Sequence, residues 1–352
     1  MLDKPDLLIA TLPYNLAGPQ LYVAQLMANE KLHAAFNPEV WAVEDKYRGY
    51  LGKWRLFKAC KTKIAGRKNI VVYINQDLSL VTWLSLCFKL AGAKRLAVHS
   101  HAAAFCAPKK LQTRKIYQFI LNACKPSAIA VSQQAAKAMF GPKAVKRCTL
   151  IPALIDFNAL AGQSERPLDR ISEDFTFACI GRMSPEKNQT LAITAFAELI
   201  KQNLRAHLLL MGDGDSVYES ALIDLINSLN IERHVTIQRA RANVAAIYRN
   251  QIDALLVPSL FEGQSRVVAE AQFFGLPVAT SIGVPEMAFL HKCNARAELP
   301  LELNSWKKVM TEMLQGSPAR LNLQIEAARL SPLSFDNGVE KLIDTLKSAN
   351  FY

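Results

Sequence analysis

The sequence predicts an α/β fold of two domains, and three observations carry that expectation. Short apolar runs of strand length alternate with helix-length patterns throughout the chain, the order that builds sheets covered by helices. A chain of 352 residues is too long for one ordinary core. Charge also divides it: residues 1–160 hold 23 Lys and Arg against 8 Asp and Glu, a net of +15, whereas residues 161–352 hold 19 against 22, a net of −3. The link at residues 161–167 is polar and loop-like. The expected domains are a basic one over 1–160 and a near-neutral one over 161–335, with a last helix and tail over 336–352.

The elements follow in order. Asp6-Leu7-Leu8-Ile9-Ala10 reads as a first strand with no secretory leader before it, and the turn after it runs to Gln20 through Gly18 and Pro19. Residues 46–68 read as a basic helix. The most apolar stretch, residues 78–90, is short and interrupted, so no transmembrane helix is expected. Val98-His99-Ser100-His101 ends a strand, and Ala130-Val131-Ser132 ends another and caps the helix after it. Phe175-Thr176-Phe177-Ala178-Cys179-Ile180 is a strand that turns through Gly181 and Arg182 into a helix expected near Pro185, a residue favoured at the first helical position. Leu208-Leu209-Leu210-Met211 runs into the glycine turn Gly212-Asp213-Gly214. Val235-Thr236-Ile237 is a strand leading to a loop with Arg239. Residues 253–257 form a buried strand, and residues 265–274 a helix stopped by Gly275-Leu276-Pro277. Residues 304–352 read as helices, the last over 336–347.

Chemistry concentrates between the strand at 253–257 and the helix after it. Glu262 falls in the turn above the strand, and Glu270 about one and a half turns into the helix. At a rise of about 1.5 Å per residue, the two carboxylates lie roughly 10 Å apart along one edge. Between them are the free N–H groups of the helix start, at Gly263, Gln264 and Ser265, which favour a phosphate. Acid, anion site and acid in a row suit a sugar, its diphosphate and a ribose. Arg182 and Lys187 sit in the turn above another strand end, where open α/β sheets bind ligands. Arg presents a planar fork to phosphate oxygens, and Lys a compact charge.

The run from Pro258 to Ala271 resembles the signature of retaining glycosyltransferases of the GT-B fold, in particular the large family 4, glycosyl transferases group 1. The segment Gly181-Arg182-Met183-Ser184-Pro185-Glu186-Lys187-Asn188 resembles the same family, as does Met211-Gly212-Asp213-Gly214. The resemblance implies two Rossmann-like domains facing a cleft, with the C-terminal helix crossing back to the first. It implies that Arg182 and Lys187 neutralise the departing nucleoside diphosphate, that Glu262 contacts the donor sugar, and that Glu270 holds the ribose hydroxyls. Gly181, Gly263, Gln264 and Ser265 line the donor, Arg239 lies near the base, and His101 points at the sugar's hydroxyls. Gly18 stands where the family usually has paired glycines close to the donor phosphate and the acceptor. The chain departs from the family at Arg239-Ala240-Arg241, where a Gly is usual, and at Ala153-Leu154, where Asn-Gly is usual.

The basic charge peaks over residues 46–68, with nine bases, no acid and four aromatics. Lys53, Trp54, Arg55, Phe57 and Lys58 make a segment suited to an anionic membrane surface. A helix burying its aromatics on a sheet beneath a solvated basic face is the other reading. More bases follow at Lys109, Lys110, Arg114 and Lys115. No nucleic-acid motif accompanies them, so no nucleic-acid partner is expected. Seven Cys and six His show no zinc spacing, and the Cys usage suits a reduced compartment. Arg182 and Lys187 do a cation's work at the diphosphate, so no metal is expected.

The function expected is retaining transfer of a sugar from a nucleotide donor, a UDP- or GDP-sugar, to a hydroxyl of a glycan or lipid-linked acceptor. The setting expected is bacterial surface polysaccharide or lipopolysaccharide synthesis, in the cytoplasm or peripheral on the inner face of the membrane. The donor is the substrate, and no cofactor is expected. Alternatives are a nucleotide-sugar epimerase or phosphorylase on the same fold, or a non-catalytic membrane adaptor.

Overall fold

The computed structural model describes residues 4–11, 18–43, 47, 49–75, 77–101, 111–162, 172–202, 205–239, 244–290, 296–316 and 325–348. Turn residues 12–17, Lys109 and Lys110, the link at 163–171, and Ala240 and Arg241 lie outside the described residues. The chain forms two compact units, one of residues 1–154 and 335–352, the other of residues 155–334.

The first unit runs β1 (Asp6–Thr11), α1 (Gly18–Met27), α2 (Glu30–Ala35), β2 (Asn37–Ala42), α3 (Gly49–Ile64), β3 (Ile70–Ile74), α4 (Leu78–Leu90), β4 (Arg95–Ser100), α5 (Leu111–Ala123), β5 (Ser127–Ala130), α6 (Gln133–Phe140) and β6 (Thr149–Leu150). Its sheet is parallel, in the order β2-β1-β3-β4-β5-β6. Both β3 and β4 are buried along their whole length, as strands covered on both faces must be. The period of two sorts their side chains. Leu8, Val72, Ile74, Leu96 and Val98 pack under α3, α4 and α5. Leu7, Ile9, Val71, Tyr73 and Ala97 pack with α1 and α2 on the other face. Asp77 caps α4, accepting from the amides of Ser79 and Leu80, and Ser132 caps α6 at Ala135.

The second unit runs α7 (Phe157–Gly162), β7 (Phe175–Ile180), α8 (Gln189–Ile200), β8 (Ala206–Met211), α9 (Ser216–Ser228), β9 (Val235–Gln238), α10 (Val244–Ala246), β10 (Ala254–Val257), α11 (Arg266–Phe273), β11 (Val278–Ser281), β12 (Arg296–Leu299), α12 (Leu303–Gln315) and α13 (Ile325–Leu330). Its parallel sheet has the order β12-β11-β10-β7-β8-β9. The break between units falls after Leu154 rather than after residue 160, because Ile155, Phe157 and Leu160 are buried in the second unit's core. The chain then rejoins the first unit as α14 (Phe335–Lys347). Val339, Leu342 and Leu346 of α14 join the core of α1 and α2. Arg95 clasps its end, donating to the Leu346 carbonyl at 2.7 Å and the Lys347 carbonyl at 2.9 Å, the cation-to-carbonyl contact a helix C-terminus favours.

Two local expectations need correction. The helix expected near Pro185 begins four residues later. Residues Pro185–Lys187 make a single tight turn, and Asn188 adopts a left-handed conformation at φ 53° before α8 starts, a conformation Asn tolerates. The helix at 265–274 is shorter, because Ser265 is also left-handed, at φ 69°.

Candidate active site

The second sheet reverses its winding at β7, whose neighbours are β10 on one side and β8 on the other. Loops leaving the carboxyl ends of β7 and β10 therefore part in opposite directions and leave a crevice, the place where open α/β sheets take ligands. The loop after β7 carries Gly181, Arg182 and Lys187. The loop after β10 carries Ser259, Glu262, Gly263, Gln264 and Ser265. Sequence distance between the two is large, yet the backbone stitches them together. The Leu260 amide donates to the Glu186 carbonyl at 2.9 Å, and the Asn188 side chain donates to the Pro258 carbonyl at 3.2 Å. A third loop locks the second: the Glu262 amide donates to the Gly283 carbonyl at 3.0 Å, and Ser281 donates to the Ser259 carbonyl. The turn after β8 approaches so closely that a Cβ on Gly212 would lie 1.9 Å from the Gly181 carbonyl oxygen.

This frame brings Lys187 Nζ to 2.6 Å from Glu262 Oε1, across 75 residues of sequence. Ser259 donates to the same oxygen at 2.8 Å. Glu262 is 9% exposed and Lys187 24%, so the pair is largely shielded from solvent and its Coulomb attraction is little screened. A small cavity lined by Gly181, Lys187, Gln189, Ser259 and Glu262 lies beside it. Arg182 extends outward and meets Glu186 at 2.8 Å. Burial pushes the Glu186 carboxyl up, but the hydrogen bonds from Ser184 and its own amide and the Arg182 guanidinium outweigh it and hold the group below its usual range. Both bases of the β7 loop thus pair with carboxylates.

Glu270 is braced on α11. The Tyr248 hydroxyl donates to Oε2 at 3.1 Å, and Arg266 Nε lies 3.5 Å from Oε1. Tyr248 is fully buried, stands on a wide helical turn (Ile247–Gln251), and stacks its ring on Phe274 at 5.6 Å. Burial, and then the charge of Glu270, push its phenol well above the usual value, so it stays a proton donor. Ser265 opens α11 without capping it, and its Oγ is buried with no partner among the described residues. Wide helical turns such as that at Ile247–Gln251 are frequent at functional sites.

The other predicted residues lie on other elements. Arg239 follows β9 at the sheet's edge, where it pairs with Glu219 at 2.9 Å. Gly18 opens α1. In the first unit His101 follows β4 half-buried, its ring 4.2 Å from that of His99. His99 itself is fully buried, accepting from the Tyr73 hydroxyl at 2.6 Å on Nδ1 and facing the Ile151 carbonyl at 3.3 Å on Nε2. The carbonyl can only accept, so Nε2 carries a proton, and burial keeps the ring neutral, leaving Nδ1 as the acceptor. On α3, Leu56 and Cys60 face the core, Phe57 and Ile64 are half-buried against it, and Trp54 projects outward at 57% exposure. Tyr248, Glu186, Ser259 and Arg266 were given no role of their own in the sequence. Only Arg266 had a local signal, its spacing of four from Glu270 on a helix.

Residues 174–297 match the family described as glycosyl transferases group 1. An uncharacterized glycosyltransferase of Methanocaldococcus jannaschii is 28% identical over 145 residues, 40% of this chain and 35% of that protein. The UDP-Gal:alpha-D-GlcNAc-diphosphoundecaprenol alpha-1,3-galactosyltransferase of Escherichia coli is 23% identical over 206 residues, 55% of this chain and 53% of that one. The chain thus spans between about a third and a half of these relatives. Anabaena HepE in complex with UDP and glucose superposes with a TM-score of 0.77 at 18% identity, covering 98% of this chain and 100% of that one. The fold is that of the GT-B glycosyltransferases.

Proposed function

We propose that this chain is a retaining glycosyltransferase that moves a sugar from a nucleoside-diphosphate donor to an acceptor hydroxyl. The observation that carries the proposal is the Lys187–Glu262 pair at the winding reversal of the second sheet. A shielded ammonium and carboxylate side by side suit a donor whose diphosphate takes the cation and whose sugar hydroxyls take the acid. Arg182 and Lys187 stabilise the charge that grows on the leaving diphosphate, usually the largest single catalytic effect. The amides at Gly263, Gln264 and Ser265 add to it from the start of α11. Glu270 accepts from the ribose hydroxyls, and Glu262 orients the sugar. The resemblance adds Gly181 to the donor site and His101 as a contact of the sugar's hydroxyls.

Glu262, the acid assigned to the sugar, is already engaged by Lys187 and Ser259, which suits positioning better than covalent attack. The acceptor oxygen therefore attacks C1 from the face the phosphate leaves. The C1–O bond to the diphosphate breaks, the new glycosidic bond forms, and the acceptor proton passes to the departing phosphate oxygen. The donor is a UDP- or GDP-sugar, with no further cofactor. The acceptor is a glycan or a lipid-linked saccharide in surface polysaccharide synthesis; the lipid-linked acceptor is supported by the named activity of the Escherichia coli relative.

The test is ligand-induced thermal stabilisation with UDP, GDP, ADP and CDP, followed by transfer assays with the sugar conjugates of whichever nucleotide binds. A ligand at about a hundred times its dissociation constant stabilises by about 2.7 kcal/mol. Lys187→Ala and Glu270→Ala are expected to abolish transfer while leaving the protein folded, and the product's anomeric configuration, read by NMR, is expected to match the donor's. Near wild-type transfer in both variants would overturn the site.

A further inference from the structure

We infer that the outer surface of α3, α4 and α5 is a docking face for an anionic lipid bilayer. The three helices lie side by side over one face of the first sheet. Their inward residues, such as Leu56, Leu84, Phe88 and Leu121, are spent on the core. Outward they present Trp54, Leu90, Ile116 and Phe119, exposed by 57, 68, 58 and 75%. None of the three helices contains an Asp or Glu, while together they carry eight Lys and Arg. At their margin stand Asp77, which caps the start of α4, and Glu39, which pairs with Lys63 of α3 at 2.6 Å.

Helix α3 joins the layer through Lys53, whose Nζ lies 3.8 Å above the Trp83 ring of α4. Trp54 stacks on Phe57 at 5.7 Å, and Lys58 Nζ lies 5.3 Å from the Trp54 ring. The sequence singled out the basic, aromatic run of α3 and noted further bases at Arg114 and Lys115. The fold adds two acid-free helices to α3 and leaves the largest apolar exposure, Phe119, on α5.

Three kinds of partner fit a basic, apolar face, and the observations separate them. A second copy of the chain would set like charges against like in a symmetric contact. A nucleic acid gains from aromatic stacking and cationic contacts, but has no use for the aliphatic Leu90 and Ile116. A bilayer accepts all of it: aliphatic and aromatic side chains enter the acyl boundary, while Lys and Arg meet the anionic headgroups. The inference stands apart from catalysis, since vesicle binding and sugar transfer are separate readouts.

The test is co-sedimentation of the full chain with vesicles of zwitterionic lipid alone and with an anionic lipid added. Binding is expected only to the anionic vesicles, weakening as salt rises. The triple variant Lys53→Gln, Arg55→Gln, Lys58→Gln is expected to bind roughly a hundredfold more weakly, three surface charges each contributing about fivefold. The pair Trp54→Ser and Phe119→Ser is expected to bind at least roughly tenfold more weakly, with the salt dependence kept. Circular dichroism checks that each variant keeps its fold. Equal binding of the wild-type chain to both kinds of vesicle, or variants that bind like wild type, would overturn the inference. So would variants that alter only self-association, or that bind duplex DNA less while vesicle binding stays unchanged.

Discussion

At the residue scale, the second unit places each ionic group of the crevice against a partner before any ligand arrives. Lys187 is held by Glu262, Arg182 by Glu186, and Glu270 by Tyr248 and Arg266. Tyr248 acts only through Glu270: it aims that carboxylate by one hydrogen bond and keeps its ring stacked on Phe274. Tyr248→Phe preserves the stacking and removes the donor. The expected outcome is a loss of about 0.5–1.5 kcal/mol in nucleoside-diphosphate affinity, with pyrophosphate binding unchanged, measured by titration calorimetry. The loss is expected to shrink with a nucleotide lacking ribose hydroxyls. An unchanged affinity for the ribonucleotide would remove Tyr248 from the site. Lys187, Glu262 and Glu270 were each legible in the sequence because they sit in short segments whose turn and helix signals are local. Tyr248 was not, because an aromatic before a buried strand reads first as core.

At the element scale, the crevice depends on how closely three loops approach one another. Gly212 is the tightest of these contacts, and no side chain fits where its Cβ would meet the Gly181 carbonyl. Gly212→Ala forces the turns after β7 and β8 apart, at an expected cost of about 1–3 kcal/mol, the usual range for overpacking. Thermal unfolding measures the loss, and nucleotide-induced stabilisation is expected to weaken with it, since Gly181 begins the loop that carries Lys187. A stable variant with full nucleotide binding would show that the loops tolerate separation. The sequence marks Gly212-Asp213-Gly214 as a glycine turn after a buried strand. It does not reveal that the turn packs on another, because β7 and β8 become neighbours only in the sheet. Likewise left-handed backbone at Asn188 and Ser265 delays the starts of α8 and α11, and the Asn188 side chain is held by the Pro258 carbonyl of the other loop, which no helix-start signal records.

At the scale of the whole molecule, stability is tied to pH through the buried rings of the first unit. Burial, and second the neighbouring His101, hold His99 well below its usual 6.5. The unfolded chain therefore takes up a proton that the folded chain refuses. Stability is complete above about pH 6.5 and falls below it by about 1.4 kcal/mol per unit for this one group. His207, also lowered chiefly by burial, adds in the same direction. Urea unfolding at several pH values is expected to show this acid loss, and His99→Gln to flatten part of it; an unchanged slope in the variant would assign the loss elsewhere. The α/β class, the acid–anion–acid run and the basic first half were determined by the sequence itself, because strand period, turn residues and charge are local properties. Tertiary structure alone decided which base meets which acid, where one unit ends and the next begins, and which side of α3, α4 and α5 faces water. Those depend on strand order and on packing between residues far apart in the chain, and pairings across 75 residues leave no periodic trace in the order of the amino acids.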